Sequence, residues 1–228
     1  MSTNLYHKII PPRVETDQKH PCLVLLHGRG ADENDLLGLS HYLDERLFII
    51  SVRAPYTWDF GFGYTWFQMD GNLEPELESL LESHKLLSDF IDQIIKEYPI
   101  DESKLFLLGF SMGTVMGFLQ MLTHPDKITG LIANNGFAIP NDWLIKQDTV
   151  IKYRLVEMNK NKIFIAHGEY DSVIPIDYSR KTKDFLANLN VDLTYKEYPT
   201  DHEISEECLH DFSKWLSDKL NLTSNIES

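Results

Sequence analysis

The stretch Leu105-Phe106-Leu107-Leu108-Gly109-Phe110-Ser111-Met112-Gly113 constrains this chain more than any other, because an apolar run ends in G-x-S-x-G and passes directly into the helix-like segment 114–123. The run reads as a buried strand, so the motif puts Ser111 on a sharp strand-to-helix turn. Glycine is needed on both sides of it. A β-carbon at Gly109 or Gly113 would crowd the tight backbone that pushes the serine hydroxyl outward. The following helix aims its free N–H groups and the positive end of its dipole at the same serine. Alone, the five residues also describe a loop of small residues; the strand before and the helix after favour a nucleophile.

A serine hydroxyl is a weak nucleophile until a base takes its proton, and that base needs a carboxylate to orient it. For this type of turn both follow the serine, acid first. The β-branched and aromatic run from Lys162 to His167 ends in Gly168-Glu169-Tyr170-Asp171, which sets Asp171 on the loop beyond a strand's carboxyl end. Residues 193–198 alternate as a strand, and Pro199-Thr200-Asp201-His202 breaks it with His202 at the tip. The order Ser111, Asp171, His202 results. Glu169 and Asp201 compete for the acid role, but the Asp201 carboxylate is too close along the backbone to reach its neighbour's ring easily. Among the other histidines, His7, His20, His41 and His84 precede the serine, His124 stands before Pro125 at a helix end, and His210 falls on the final helix. His27 and His167 each precede a glycine at a strand end and are expected to bond locally to their turns.

The tetrahedral intermediate of acyl transfer also needs preorganised donors for its oxyanion. Cys22 to Leu26 form a buried strand that runs into the flexible loop His27-Gly28-Arg29-Gly30. The backbone N–H of Arg29 and that of Met112, next to the nucleophile, are the expected pair. On its own, residues 27–30 would be an ordinary turn; beside the other three residues it reads as half of an oxyanion hole.

With these residues in place, the chain resembles the carboxylesterase, lysophospholipase and acyl-protein thioesterase family of small α/β-hydrolase serine esterases. The resemblance runs from about Cys22 to about Leu216. It is carried by Leu26-His27-Gly28-Arg29-Gly30, by Val52-Arg53-Ala54-Pro55 with Gly63-Tyr64-Thr65-Trp66-Phe67, and by Gly109-Phe110-Ser111-Met112-Gly113. His167-Gly168-Glu169-Tyr170-Asp171 with Val173-Ile174-Pro175, and His202-Glu203-Ile204, complete it. It implies a triad of Ser111, Asp171 and His202, an oxyanion hole of Arg29 and Met112, an acyl-pocket wall that includes Trp66 and Phe67, and neither cofactor nor metal. Acyl-protein thioesterases usually carry an apolar residue where this chain has Arg29 and glutamine where it has Met112, and a glycine is common near Thr200-Asp201. These departures turn the expectation toward a carboxylesterase of short to medium acyl esters. Acyl-protein thioesterase or lysophospholipase activity is the alternative, and a small-peptide hydrolase or a noncatalytic binding module is the more distant one.

Arg29 is the sharpest departure, and it has two readings. As a cation at the rim of the site it would favour substrates bearing a carboxylate or phosphate; alternatively it pairs with Asp32, Glu33 or Asp35 and merely shapes the loop.

The alternation of strands near 22–27, 47–52, 105–109, 128–134, 163–167 and 193–198 with helices predicts one α/β-hydrolase domain over 1–228, with a mostly parallel central sheet, helices on both faces and a polar tail from about 219. The clearest helix spans 75–98, with Pro75 in its first turn, Pro99 as its stop and a stripe that includes Leu80, Leu87, Ile91 and Ile94. Ligands of such sheets bind at the carboxyl ends of the strands, where His27, Ser111, Asp171 and His202 converge. Residues 138–160 are the only candidate cap and are too few for a large lid. The aromatic loop 56–69, with Trp58, Phe60, Phe62, Tyr64, Trp66 and Phe67, is divided between core and acyl site.

A formal net charge of −14 over 228 residues argues against nucleic acid and against anionic membrane surfaces. No apolar run approaches the ~18 residues of a membrane span, and the first twenty residues lack an apolar core, so a cytoplasmic enzyme without stable membrane insertion is expected. Cys22 and Cys208 form no disulfide framework and read as buried thiols. The expected partner is a small-molecule ester; a homodimer is left open.

Overall fold

A computed structural model describes residues 5–14, 18–58, 61–69 and 74–224, with side chains through 221. The chain runs β1 (His7–Ile10), β2 (His20–Leu26), β3 (Phe48–Val52), β4 (Tyr56–Thr57), β5 (Tyr64–Thr65), α1 (Leu77–Glu97), β6 (Ile100–Phe110), α2 (Met112–Thr123) and β7 (Gly130–Asn134). It continues through α3 (Asn141–Lys146), β8 (Asn161–Gly168), α4 (Asp177–Leu186), β9 (Val191–Tyr198) and α5 (Glu206–Ser224). Seven strands form one sheet in the order β1-β3-β2-β6-β7-β8-β9, while β4 and β5 make a separate hairpin. All pairs of the main sheet are parallel except β1 with β3. The fold is therefore the expected single α/β-hydrolase domain.

Strand residues alternate between two cores, as the two-residue period of a sheet covered on both faces requires. Cys22, Val24, Leu26, Leu105, Leu107, Ile163 and Ile165 face the layer of α1, α2 and α4. Leu23, Leu25, Phe106, Leu108, Phe164 and Ala166 face α5, through Phe212, Trp215 and Leu216. Each buried Val, Leu, Ile or Phe among them contributes about 1.5–3 kcal/mol by leaving water. Cys22 and Cys208 are buried and unbonded to one another, and burial pushes the Cys208 thiol up to about 12.

Several boundaries differ from the sequence reading for identifiable reasons. The edge strand β1 is short and mixed in polarity, so no apolar alternation announces it. Pro75 lies outside α1: it bridges Met69, and the Glu76 carboxylate caps the helix by accepting from the amides of Glu78 and Ser79. Phe90 joins the buried stripe. The polar tail expected from 219 is still helical to Ser224, with Leu220 buried, and residues 225–228 lie outside the described residues. Residues 138–160 form only α3 and a 3-10 turn, so this segment builds no large lid. No helix among the described residues is long and apolar enough to cross a membrane.

Candidate active site

The turn that carries Ser111 is built as its glycines demand. Ser111 stands between β6 and α2 with φ 53° and ψ −118°, a conformation rare for any side-chain-bearing residue and one that stores about 1–3 kcal/mol. A methyl on Gly113 would lie 1.9 Å from the Leu26 carbonyl oxygen, and one on Gly109 would lie 2.5 Å from the Thr114 amide nitrogen. Helix α2 is consequently pressed onto the ends of β2 and β6. Thr114 Oγ1 donates to the carbonyls of Gly109 (2.8 Å) and Asn134 (2.7 Å), which holds the turn against β7.

Asp171 and His202 come together from the loops after β8 and β9. His202 Nδ1 donates to Asp171 Oδ2 at 2.7 Å, and the Asp171 side chain is wholly buried. Its other oxygen, Oδ1, accepts from the amides of Val173 (2.9 Å) and Ile174 (2.7 Å). Burial pushes the Asp171 pKa up, but the bonds from His202, the Ile174 amide, Asn135 and the Val173 amide outweigh it and hold the carboxyl below its ordinary value. The two loops are stitched to each other: Glu169 N donates to Tyr198 O (2.7 Å) and Tyr170 N to Thr200 O (3.0 Å). Gly168 packs so tightly on this seam that a methyl there would meet Asp201 O at 2.2 Å. The His202 ring packs on Phe110, the residue before Ser111, with centroids 5.0 Å apart.

The competing acids have other tasks. Asp201 Oδ1 accepts from the amides of Ser172 (2.7 Å) and His202 (2.8 Å), so it shapes the loop rather than orienting the imidazole. Glu169 is exposed.

His27 closes the loop of residues 27–30 from behind. Its Nε2 accepts from Ala54 N (3.0 Å) and its Nδ1–H donates to Gly28 O (2.7 Å), a pattern that fixes one neutral tautomer. Burial lowers its pKa despite the Gly28 carbonyl. The loop is further held by Gly30 N on Tyr64 O and Tyr64 N on Ala31 O, both 2.8 Å. Met112 opens α2, where first-turn amides have no intrahelical acceptor.

Ser111 lines a small apolar cavity that opens to solvent, together with Arg29, Phe67, Met112, Val115 and Phe137. Phe67, expected on an acyl-pocket wall, lines this cavity. Trp66 is not among its lining residues: it is fully buried, its Nε1–H donating to His27 O (2.9 Å) and its ring 5.7 Å from that of His27. An indole with a single donor is well satisfied there, and its bulk backs the loop of residues 27–30. Of the other loop aromatics, Phe62 is 97% exposed, Tyr64 lies 4.5 Å from the Arg53 guanidinium, and Phe60 lies outside the described residues. Among the described residues no group of three His, Cys, Asp or Glu side chains is arranged to hold a metal ion.

Comparison with known proteins places the chain in a family. The phospholipase/carboxylesterase family matches residues 6–220. The chain belongs to it. Acyl-protein thioesterase 1 of Kluyveromyces lactis is 30% identical over 165 residues, covering 70% of this chain and 68% of that protein. The thioesterase 1 of Neurospora crassa is 30% identical over 190 residues, 78% of this chain and 76% of its own. In fold, the chain is similar to the Bacillus cereus carboxylesterase, with a TM-score of 0.81, 22% identity and 95% of each chain covered. It is also similar to esterase PE8, with a TM-score of 0.77, 22% identity, and 94% and 98% covered.

As a member of the phospholipase/carboxylesterase family, the chain is a serine hydrolase. Two features of its site escape a reading of the sequence. Arg29 does not pair with Asp32, Glu33 or Asp35: Glu33 is held by Arg53 through bonds of 2.6 and 2.8 Å, and Asp32 accepts from the Asn34 amide. Among the described residues the Arg29 guanidinium has no carboxylate partner and lies 5.9 Å from the Trp58 ring centroid. The second feature is Asn135, whose Nδ2 donates to Asp171 Oδ2 at 2.9 Å. Asn135-Gly136 after an apolar strand is the dipeptide of a sharp turn, the one signal in the sequence that pointed there.

Proposed function

We propose that the chain is a serine carboxylesterase acting on short to medium acyl esters through an acyl-Ser111 intermediate. Ser111 Oγ attacks the ester carbonyl carbon as His202 takes its proton; the amides of Arg29 and Met112 hold the oxyanion; and the C–O bond to the alcohol breaks as His202 returns that proton to the leaving oxygen. Water, deprotonated by His202, then adds to the acyl carbon, and the acid leaves as Ser111 regains its proton. Asp171 stays ionised and stabilises the imidazolium in both halves.

The observation that carries this reading is the His202–Asp171 bond of 2.7 Å, its imidazole packed on Phe110, next in sequence to a serine held in a strained turn that lines an apolar cavity. The modest cavity and the absence of a large lid support short to medium chains. A second reading, thioester cleavage, is favoured by the thioesterases that share 30% identity with the chain. A panel of p-nitrophenyl esters and acyl thioesters of graded length, with Ser111→Ala as control, tests both. Butyrate-length oxygen esters are expected to turn over fastest, and Ser111→Ala to lose roughly a million-fold in kcat. Faster turnover of long-chain thioesters would replace the carboxylesterase reading, and labelling by a fluorophosphonate elsewhere than Ser111 would overturn both.

A further inference from the structure

Two consecutive residues at the carboxyl end of β7 join the nucleophile turn to both loops of the acid–base pair. The Asn134 carbonyl accepts from the Ser111 amide at 2.9 Å. The Asn135 side chain turns the other way: Nδ2 donates to Asp171 Oδ2 at 2.9 Å and to the carbonyl of Asp201, the residue before His202, at 3.3 Å. Asn135 is buried, at 1% exposure, and its amide N–H is tied to Ala166 O at 2.9 Å. Its φ of +46° is a left-handed conformation that asparagine adopts more readily than most residues. Next to it, a methyl on Gly136 would come within 2.7 Å of Ser111 O, so this segment cannot shift without moving the nucleophile.

Asp171 Oδ2 is the oxygen that matters. It accepts from His202 Nδ1 at 2.7 Å and from Asn135, and His167 Nε2 stands 3.2 Å away. Oδ1 is already filled by two amides. With the flanking positions on Oδ2 taken by side chains that cannot move freely, one direction remains for His202, and the plane of its imidazole is set.

We propose that Asn135 is a positioning residue of the hydrolytic site: its amide, donating at once to the Asp171 carboxylate and the Asp201 carbonyl, holds the acid and the histidine loop in register with the serine turn that Asn134 fixes. The proposal rests on the hydrolase reading of Ser111, Asp171 and His202. Asn135 itself exchanges no proton and forms no bond to substrate; it acts through the orientation of His202.

A residue needed only for its backbone shape would be replaced without loss by glycine, which adopts positive φ freely. That separates the two roles. The test compares Asn135→Gly, which keeps the conformation and removes the amide, with Asn135→Asp, which keeps the shape but sets a carboxylate beside Asp171. Steady-state hydrolysis of a neutral p-nitrophenyl ester is measured from pH 5 to 9, with thermal melts of each variant. Asn135→Gly is expected to lose about a hundred-fold in kcat, with KM changed less than about two-fold. Asn135→Asp is expected to lose at least as much and to move the acid limb of kcat/KM to higher pH, because added negative charge favours the protonated imidazole. Asp171 bonds that imidazole, His167 stands 3.2 Å from the same carboxylate oxygen, and the Asp201 carboxylate accepts from the His202 backbone amide.

If Asn135→Gly retains kcat within two-fold, or if Asn135→Asp leaves the acid limb in place, the amide does not position the pair and the proposal fails. Should the glycine variant not fold, the aspartate variant alone decides by the same limb. Fluorophosphonate labelling separates this failure from that of the hydrolase reading: wild type labelled at Ser111, with both variants labelled at the wild-type rate, overturns only the role of Asn135.

Discussion

Gly63 lies with its backbone directly against the carbonyl of Gly30: a methyl built on Gly63 would sit 2.1 Å from that oxygen, and its φ of +110° belongs to glycine. This contact joins the hairpin of β4 and β5 to the loop that presents the Arg29 amide. The bonds between Tyr64 and residues 30 and 31 continue it. Gly63→Ala is therefore expected to displace the oxyanion loop, lowering kcat by about a hundred-fold with a smaller change in KM. Single-turnover acylation of the variant checks this; acylation at the wild-type rate would show that the loop tolerates the methyl.

Asp171→Asn keeps the shape of the acid and removes its charge. The variant leaves the amides of Val173 and Ile174 bonded through Oδ1, but the stabilisation of a charged His202 is lost. A fall in kcat of about 10⁴-fold is expected, with KM close to wild type, measured against a neutral ester. A loss below ten-fold would return the acid role to Asp201 or Glu169.

The placement of these residues was legible in the sequence to different depths. Ser111, Asp171 and His202 could be found because each ends an apolar or alternating run, and the ends of parallel strands meet along one edge of a doubly wound sheet. Trp66 could not be told from Phe67, since neighbouring aromatics in an irregular loop carry no period that says which one faces the cavity. Arg29 has three acids within six residues, yet the guanidinium that captures Glu33 comes from Arg53, twenty residues on, across a turn that proximity in sequence does not reveal. Asn135 was missed for a related reason: its partners are 36 and 66 residues away.

Stability is expected to fall on acidification before the carboxylates titrate. Burial pushes the pKa values of His27, His84, His124 and His167 below the ordinary imidazole value of 6.5, that of His84 to about 4. His84 and His124 stack 5.5 Å apart and share Thr123 Oγ1, so protonating either costs more beside the other. With folded pKa below unfolded pKa, the unfolded chain binds more protons in that window. The stabilisation is thus complete above about pH 6.5 and is lost as pH falls toward 4. For His84 the loss is on the order of 3 kcal/mol, and Tm moves by roughly 2–4 °C per kcal/mol in a chain of this size. Melting curves of wild type and His84→Gln between pH 7.5 and 4.5 check the sign: the variant should show the shallower dependence, and an identical slope would exclude His84 as the source.

The guanidinium of Arg29 borders the same cavity as Ser111 and, with Glu33 held by Arg53, has no carboxylate partner among the described residues. A cation left in this position beside an apolar wall, in a chain of net charge −14, draws anionic groups to a site that the rest of the surface repels. An ester whose leaving group carries a carboxylate or phosphate is therefore expected to gain a charge-assisted hydrogen bond worth about 1.5–3 kcal/mol. The measurement is the ratio of kcat/KM for an anionic ester over its matched neutral analogue. Arg29→Gln should lower that ratio by roughly ten- to a hundred-fold. Arg29→Lys should restore part of it, since an ammonium keeps the charge but not the bidentate fork. Added salt should shrink the wild-type preference and leave that of Arg29→Gln unchanged. A ratio that is the same in all three proteins would assign Arg29 to the shape of the loop alone, through its backbone and its contact with Trp58.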